Sequence, residues 1–241
     1  MTAPFAQPLV FLPGWCVGRT PVKAAVEALG GSIIDLPGYC DEPLITDFDA
    51  AVDAIAARLQ PATALGGWSL GAQLALAVAA RHPDKVGKLL LVAGTTSFVQ
   101  RDGWPHGMPH AMLAEFAAGI AADAEAMLPR FVGGFNRGDA RAKAVTVELL
   151  KLADPRPSGE VLATGLNWLR DVDLRDDAAK VQAPTLLMHG GADPLMPLGA
   201  AEALAALIPG ARLAVFADCA HAPFISRPDD FVAQARAFLN D

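Results

Sequence analysis

The sequence contains the run Gly67-Trp68-Ser69-Leu70-Gly71 between a short apolar stretch and a long apolar helical pattern. This order predicts a strand, a sharp turn and a helix, with the serine on the turn. A glycine two residues to either side of the serine lets the strand and the helix pack closely. The serine hydroxyl is therefore expected at the carboxyl edge of a sheet, where a substrate can reach it.

A serine on such a turn is typical of the nucleophile elbow of α/β-hydrolases. In that fold an acid and then a histidine follow the serine along the chain, each just past a later strand. Asp193 follows one later apolar run, and His221 follows the next. The sequence therefore predicts Ser69, Asp193 and His221 as a catalytic triad. Asp218 is the alternative acid, but it lies in the same loop as His221, whereas Asp193 occupies the expected strand end.

These three side-chain types suit acyl transfer at a serine. A hydroxyl is a weak nucleophile until a neutral imidazole takes its proton, and a buried carboxylate holds that imidazole in the right tautomer. The oxyanion that develops then needs fixed N–H donors. We expect one donor at Leu70, directly after the serine, and the other at Trp15, in the loop after the first apolar strand pattern.

Strand and helix patterns alternate over most of the chain, which predicts an α/β fold with a mostly parallel sheet and helices on both faces. The predicted strands are 9–12, 32–36, 62–66, 88–92, 185–189 and 212–216, and the helices between and after them are 21–29, 47–59, 70–81, 198–207 and 228–239. The alternation fails between the fourth and fifth strands, where helical periodicity covers 110–122, 124–135, 139–152 and 158–169. We therefore expect a core of residues 1–96 and 171–241, with residues 97–170 inserted as a helical cap.

Composition excludes several other classes of protein. The 241 residues are 53% hydrophobic, enough to bury a large core, and the net charge of −7 argues against a nucleic-acid partner. No apolar run is long enough to span a membrane, and the first residues lack the features of a secretory signal. Three cysteines without metal-like spacing suit a reducing compartment. We expect a cytoplasmic, monomeric protein without a metal or an organic cofactor.

The predicted cap contains a local excess of positive charge. Arg130, Arg137, Arg141 and Lys143 are accompanied only by Asp139. Such a cluster is either a solvated helical face or a patch that binds an acidic partner or a substrate carboxylate.

Four runs carry a more specific resemblance than the pentapeptide around Ser69. They resemble the pimeloyl-[acyl-carrier protein] methyl ester carboxylesterases of biotin synthesis, and the similarity extends over about residues 9–239. The runs are the tryptophan-containing pentapeptide 67–71, the cap entry 97–105, the cap exit 169–175 and the histidine loop 221–226.

The resemblance implies an esterase that removes the methyl group masking the distal carboxylate of a pimeloyl chain carried on acyl carrier protein. It places Ser69, Asp193 and His221 in the triad. It places Trp15 and Leu70 in the oxyanion hole. It implies substrate contacts at Trp15, Ser69, Leu70, Phe131, Val132, Gly133, Gly134, Phe135 and His221. It also matches Arg130 and Arg141 to basic positions that hold the carrier protein, and the charge cluster adds Arg137 and Lys143 as further expected contacts with the carrier.

The sequence departs from this family in two places. The family has His-Gly-Trp-Gly in the oxyanion loop, where this chain has Pro13-Gly14-Trp15-Cys16. The chain also starts close to its first core strand, without the usual N-terminal hairpin, so a sheet of about six strands is expected.

Two alternatives remain open at this point. The same triad serves other serine hydrolases, including short-chain carboxylesterases, acyltransferases and carbon–carbon bond hydrolases. The chain could also be a noncatalytic protein that binds a ligand in the pocket of this fold.

Overall fold

The computed structural model describes residues 9–153 and 156–241. Within them, six parallel strands form one sheet in the order β2-β1-β3-β4-β5-β6. The strands are β1 (Leu9–Leu12), β2 (Ser32–Ile33), β3 (Thr63–Trp68), β4 (Val86–Val92), β5 (Thr185–Gly190) and β6 (Arg212–Phe216). The predicted α/β class and the sheet of about six strands are confirmed. The parts of the predicted core and cap at residues 1–8 and 154–155, including the expected absence of a secretory signal, lie outside the described residues.

The helices cover both faces of this sheet. They are α1 (Thr20–Ala28), α2 (Phe48–Arg58), α3 (Leu70–Arg81), α4 (His110–Phe135), α5 (Ala142–Leu152), α6 (Gly159–Asp171), α7 (Arg175–Ala178), α8 (Leu198–Leu207), α9 (Pro223–Ser226) and α10 (Pro228–Asn240). One layer consists of α2, α3, α7 and α8, and the other of α1, α9 and α10. Sheets covered on both faces need strands that are apolar along their whole length, and every residue of β3 and β5 is buried.

The edge strand β2 is shorter than the sequence predicted. Only Ser32 and Ile33 pair with β1, whereas the apolar pattern extended to Leu36. The Ile34 N–H still donates to the Phe11 carbonyl oxygen at 3.1 Å, and the pattern ends before Pro37, which cannot donate to a neighbouring strand. In the centre of the sheet, β3 extends to Trp68, so that the strand ends directly before Ser69.

The segment between β4 and β5 is helical, and its longest helix is broken. Asp123 has non-helical backbone angles of φ −157° and ψ 83°, and its carboxylate accepts a hydrogen bond from the Ala126 N–H at 3.0 Å. Aspartate at a helix N-cap satisfies an otherwise unpaired N–H of the first turn. α4 therefore consists of two helical stretches that meet at the residue where the sequence pattern separates them.

One arginine ties together the two chain segments at the base of the predicted cap. The Arg101 guanidinium donates to the carbonyl oxygens of Arg170 at 2.9 Å and Val172 at 3.2 Å, and its Nε donates to the Ser97 hydroxyl at 2.9 Å. Arg175 adds a further link, because its Nη1 donates to the Asp102 carbonyl at 2.7 Å. The cap-entry and cap-exit runs that carry the family resemblance are thus joined in space.

Among the described helices, none has both the length and the apolar composition required to cross a bilayer.

Candidate active site

The turn between β3 and α3 presents Ser69 in a strained conformation. Its φ of 57° and ψ of −118° lie in a region that costs about 1–3 kcal/mol. The two flanking glycines have no space for a side chain. A Cβ on Gly67 would lie 2.2 Å from the Gly71 carbonyl oxygen, and a Cβ on Gly71 would lie 2.3 Å from the Leu12 carbonyl oxygen. The pentapeptide thus fixes the close packing of strand, turn and helix that holds the hydroxyl at the sheet edge.

The loops after β5 and β6 bring an acid and an imidazole to this serine. His221 Nε2 lies 3.0 Å from Ser69 Oγ, and His221 Nδ1 lies 2.7 Å from Asp193 Oδ2. All three side chains are buried. With the proton on Nδ1 donated to the carboxylate, Nε2 is free to accept the serine proton, which is the arrangement that activates a serine nucleophile.

The carboxylate of Asp193 is held by its own loop. Its Oδ1 accepts hydrogen bonds from the main-chain N–H groups of Leu195 at 2.8 Å and Met196 at 3.0 Å. This leaves Oδ2 directed at the imidazole. The alternative acid, Asp218, has a side chain that is 56% exposed and pairs with Arg227. The geometry therefore joins His221 to Asp193 and leaves Asp218 at the surface.

Two aromatic rings flank the imidazole. Trp68 Nε1 donates to the His221 carbonyl oxygen at 2.8 Å, and the ring of Phe135 lies 5.0 Å from that of His221. Phe135 was predicted as a substrate contact, but the contact of Trp68 with the histidine loop was not predicted. The tryptophan directly before the serine is the signal in the sequence that marks it.

The two main-chain N–H groups predicted as oxyanion donors are free of other acceptors in the described part of the chain. Leu70 is the first residue of α3, where an N–H has no partner within the helix and the helix dipole is positive. Trp15 is buried in the loop after β1, and its ring Nε1 donates to the Leu162 carbonyl at 3.1 Å. Both amides are thus available to a ligand, and α6 holds the ring of Trp15.

Cys16 occupies a position where the resembling family has glycine. Its φ is 65°, in the left-handed region that a side chain disfavours by about 1–2 kcal/mol. The Cys16 N–H donates to the buried Tyr39 hydroxyl at 2.9 Å, and burial raises the pKa of that hydroxyl. The preceding glycine of this loop, Gly14, cannot be replaced in the same way, because a Cβ there would lie 2.8 Å from the Trp68 ring. The departure at Cys16 therefore leaves the loop in the conformation that glycine would favour.

A narrow aromatic cavity of about 10 Å³ opens onto the serine and the imidazole. Its roof is a cluster of rings: Phe131 stacks on Phe116 at 4.8 Å between centroids and meets the Trp15 ring edge-on at 5.5 Å. The residues that line it are Trp15, Trp68, Ser69, Phe98, Phe131, Phe135, Leu169, Leu195 and His221.

Some of the predicted substrate contacts line this cavity and others do not. Phe131 and Phe135 lie one helical turn apart on the face of α4 that points at the site. Val132, Gly133 and Gly134 lie between them and do not line the cavity. An α-helix has 3.6 residues per turn, so the intervening residues lie on other faces of the helix. Leu70 does not line the cavity either, and its predicted contact is through the main-chain N–H alone. Sequence analysis missed Phe98, Leu169 and Leu195, which reach the cavity from three separate loops or helix ends.

Comparison with known proteins decides the family. The model described as the alpha/beta hydrolase family matches residues 9–235. A pimeloyl-[acyl-carrier protein] methyl ester esterase of Aromatoleum aromaticum is 39% identical over 236 residues, which cover 92% of this chain and 94% of the relative. The esterase of the same name from Nitrosomonas europaea is 36% identical, over 93% of this chain and 92% of the relative. The chain belongs to this family of α/β-hydrolase esterases.

Solved structures agree with the family at the level of the fold. An esterase from Exiguobacterium antarcticum superposes with a TM-score of 0.89 at 26% identity, covering 99% of this chain and 94% of that one. A bromoperoxidase from Bacillus anthracis superposes with a TM-score of 0.84 at 22% identity, covering 98% and 92%. The overall fold of this α/β-hydrolase is therefore shared with proteins of much lower sequence identity.

The basic residues of this α/β-hydrolase do not share one role. Arg130, Arg137 and Lys143 are exposed. The Arg141 guanidinium instead donates to the carbonyl oxygen of Ser226 at 2.9 Å. The expectation that Asp139 accompanies these cations is wrong, because its carboxylate is buried and bonded elsewhere. Arg141 is also exposed, but its guanidinium is bonded to Ser226, so the exposed patch is defined here as Arg130, Arg137 and Lys143.

No group of three or more histidine, cysteine, aspartate or glutamate side chains is arranged to hold a metal ion in residues 9–153 and 156–241 of this hydrolase.

A second buried histidine lies beneath the acid loop. His189 Nε2 lies 2.7 Å from the Met196 carbonyl oxygen, and its ring nitrogen is 3.9 Å from Asp193 Oδ2. Burial lowers the pKa of His189, and the nearby His221 lowers it slightly further. The charge of Asp193 and the hydrogen bond to Met196 raise this pKa, but by less, so the net shift is downward. The neutral imidazole therefore donates to the carbonyl and braces the loop that carries the acid.

We expect the free energy of unfolding of this hydrolase to fall as the pH is lowered through about 6.5 and below. The pKa of His189 is lower in the folded chain than its ordinary value, so the unfolded chain takes up the proton first and protonation favours unfolding. Urea unfolding measured between about pH 5 and 7.5 should show this slope, and His189→Gln, which keeps a donor to Met196 without a titrating ring, should flatten it. Identical slopes for the two proteins would contradict this role for His189.

Proposed function

We propose that this chain is a serine carboxylesterase that hydrolyses the methyl ester of pimeloyl-acyl carrier protein, a step of biotin synthesis in the cytoplasm. The observation that carries the proposal is the imidazole of His221, which bonds to Ser69 Oγ and to Asp193 Oδ2 at 3.0 and 2.7 Å. The identity of the substrate is inferred from the names of the relatives. These relatives share about a third or more of their residues with this chain over more than nine-tenths of its length.

In the proposed mechanism, His221 Nε2 takes the proton from Ser69 Oγ as the oxygen attacks the ester carbonyl carbon. The N–H groups of Trp15 and Leu70 donate to the oxyanion of the tetrahedral intermediate. The imidazolium, stabilised by Asp193, then protonates the departing methoxide, which leaves as methanol. Water attacks the acyl-serine with His221 again as the base, and the acid product leaves while Ser69 regains its proton.

The cavity favours the ester over the acid that it becomes. Seven of its nine lining residues have aromatic or aliphatic side chains without a titrating group or a hydroxyl, two of them tryptophans that carry an indole N–H, and none of the nine is a lysine or an arginine. A methyl ester loses little solvation in such surroundings, whereas a carboxylate without a cationic partner is costly to bury. We infer that the product is bound weakly and leaves, and that free carboxylates are poor competitors for the site.

The exposed basic patch offers a place for the carrier. Arg130 and Arg137 lie in and just after the part of α4 that also supplies Phe131 and Phe135 to the cavity. A carrier held at these cations would therefore be close to the cavity that receives its acyl chain. Positive charge of this kind steers and orients a negatively charged partner.

The direct test offers the purified enzyme two methyl esters, one on pimeloyl-acyl carrier protein and one on a free short-chain acid. We expect methanol release from the carrier-bound ester at the higher kcat/KM, and growth of a biotin-requiring strain that lacks its own demethylating enzyme when this chain is expressed. Hydrolysis of the free ester alone, without rescue, would identify a general short-chain carboxylesterase. Hydrolysis of neither would leave the noncatalytic alternative.

Charge reversal at Arg137 is expected to raise KM for the carrier-bound ester about fivefold. Reversing one exposed charge at a protein contact removes an attraction and adds a repulsion, together worth about 1 kcal/mol. Arg137→Glu should be compared with Lys180→Glu, because Lys180 is also exposed but precedes β5, at the sheet edge opposite the triad. Equal KM values for the two variants would remove Arg137 from the carrier contact.

A further inference from the structure

A single carboxylate of the segment after α4 is bonded to the loop that carries the catalytic imidazole. Asp139 Oδ2 accepts a hydrogen bond from the N–H of Ala220, the residue directly before His221, at 2.9 Å. Its other oxygen, Oδ1, accepts from the Ser226 hydroxyl at 2.9 Å and from the Arg141 N–H at 2.7 Å. Ala220, which precedes His221, and Ser226, which follows it, are thus both bonded to one side chain.

The backbone of the same turn adds contacts to both loops of the triad. The Ala140 N–H donates to the Asp218 carbonyl oxygen at 2.9 Å. Gly138 has a φ of 97°, and a Cβ on it would lie 3.1 Å from the carbonyl oxygen of Ala192, the neighbour of Asp193. Residues 138–140 therefore lie against the loops that position the acid and the base, at a distance that leaves no space for a side chain at Gly138.

The environment of Asp139 is unusual for an aspartate. Its side chain is buried, and within the described residues no side-chain nitrogen of a lysine, arginine or histidine lies within 4.0 Å of its carboxylate. A buried carboxylate without a cation is costly unless hydrogen-bond donors compensate it. Three donors do so here, and two of them belong to the histidine loop, so the carboxylate remains satisfied only while that loop keeps its position.

The nearby arginine strengthens the same junction. The Arg141 guanidinium donates to the carbonyl oxygens of Ser226 at 2.9 Å and Ile225 at 3.4 Å, at the end of α9. α9 follows His221 directly, so its end is bonded to the turn by Asp139 and by Arg141. The histidine therefore lies between two attachment points, Ala220 before it and Ser226 after it.

We propose that Asp139 is a positioning residue for catalysis, which holds the His221 imidazole in line with Ser69 through the Ala220 N–H. Asp139 touches neither the substrate nor the reacting atoms. It acts from the segment between β4 and β5, so that segment supplies part of the scaffold of the triad as well as the roof of the cavity. The proposal rests on the triad assigned above.

The test compares Asp139→Asn with Ser226→Ala. The asparagine has one acceptor oxygen in place of two, and this oxygen satisfies more donors when it stays with Arg141 and Ser226, which turns the NH2 group towards the Ala220 N–H that it cannot accept. The alanine removes a different donor to the same carboxylate and leaves the Ala220 bond in place. For each protein, titration with a fluorophosphonate counts the active serines, and kcat and KM for p-nitrophenyl acetate are then expressed per titrated serine. The rate constant of phosphonylation is a second readout that needs no ester substrate.

We expect Asp139→Asn to lower kcat per titrated serine and the phosphonylation rate constant by about 10- to 100-fold, because small displacements of a catalytic group cost that much, with KM within about twofold. Ser226→Ala removes the second attachment but keeps the Ala220 bond, so it should lower both rates at least about fivefold less than Asp139→Asn does. A purely structural role would reduce the number of titrated serines without changing the rate of each, and that result, or equal rates in the two variants, would overturn the proposal.

Asp139→Glu provides the same comparison if the asparagine variant does not fold. It keeps the charge and both acceptors but displaces them by one methylene, so the same loss of rate per titrated serine is expected. A glutamate variant with the wild-type rate would overturn the proposal. Failure of the wild-type protein to react with the fluorophosphonate would be seen before any variant is made, and would overturn the triad itself.

Discussion

Ser69→Ala is expected to lower kcat for ester hydrolysis by about 10⁶-fold, the loss found when the nucleophile of a serine hydrolase is removed. No other hydroxyl is bonded to His221 in the described residues, so no side chain there can replace the attacking oxygen. The fold should survive, because alanine and serine are equally strained at φ 57° and the Ser69 hydroxyl caps no helix. Initial rates with a p-nitrophenyl ester and the melting temperature of each protein measure the two effects.

Ser32→Ala is the matched control for this loss. Ser32 lies on β2, and its hydroxyl donates to the Leu9 carbonyl at the limiting distance of 3.5 Å, away from the triad. Its activity should equal that of the wild type. Residual turnover by Ser69→Ala at more than a small fraction of the control would show that another group carries the reaction.

Asp193→Asn is expected to lower kcat by about 10⁴-fold while the structure persists. The asparagine oxygen can still accept from Leu195 and Met196, so the loop keeps its shape. Its NH2 group then faces His221 Nδ1 and can only donate to it, which places the imidazole proton on Nε2 and removes the acceptor for the Ser69 proton. The measurement is kcat for a p-nitrophenyl ester, compared with that of the wild type at the same pH.

Asp218→Asn is the control that separates the two candidate acids. Its carboxylate is half exposed and pairs with Arg227 at the surface, so kcat should stay within about twofold of the wild type. The reverse result, a large loss at Asp218 and a small one at Asp193, would assign the acid to the other loop.

The parts of the site that follow strand ends could be predicted from the sequence. Parallel strands bring their carboxyl ends to one edge, so Ser69, Asp193 and His221 could be placed together from three apolar runs and the residues after them. The helix break at Asp123 was also predictable, since helical periodicity changes there. Each of these features depends on the local spacing of apolar residues, which can be read from the sequence.

Features that depend on packing between distant segments could not be predicted in this way. Asp139 looked like the counter-ion of a surface patch, because charge counting does not show which side chain is buried. Phe98, Leu169 and Leu195 line the cavity from positions that no helical or strand period connects. The short helices α7 and α9 have four residues each, too few to produce a periodic signal.

The contacts of Arg101 give a physical reason for two of the sequence runs that carry the family resemblance. The cap-entry and cap-exit runs were characteristic of the family, yet the sequence gives no sign that they touch. In the structure the guanidinium of Arg101 bonds the carbonyl oxygens of Arg170 and Val172, 69 and 71 residues away along the chain. The motif therefore describes a junction that only the folded chain forms.

The most direct test of the account is the site of reaction with a fluorophosphonate, determined by mass spectrometry of the labelled and digested protein. Only a serine activated by an imidazole reacts at an appreciable rate. We predict a single adduct, on the peptide that contains Ser69, and its loss in Ser69→Ala. No adduct, or an adduct on another residue that persists in Ser69→Ala, would contradict the assignment of Ser69, His221 and Asp193 as the catalytic triad.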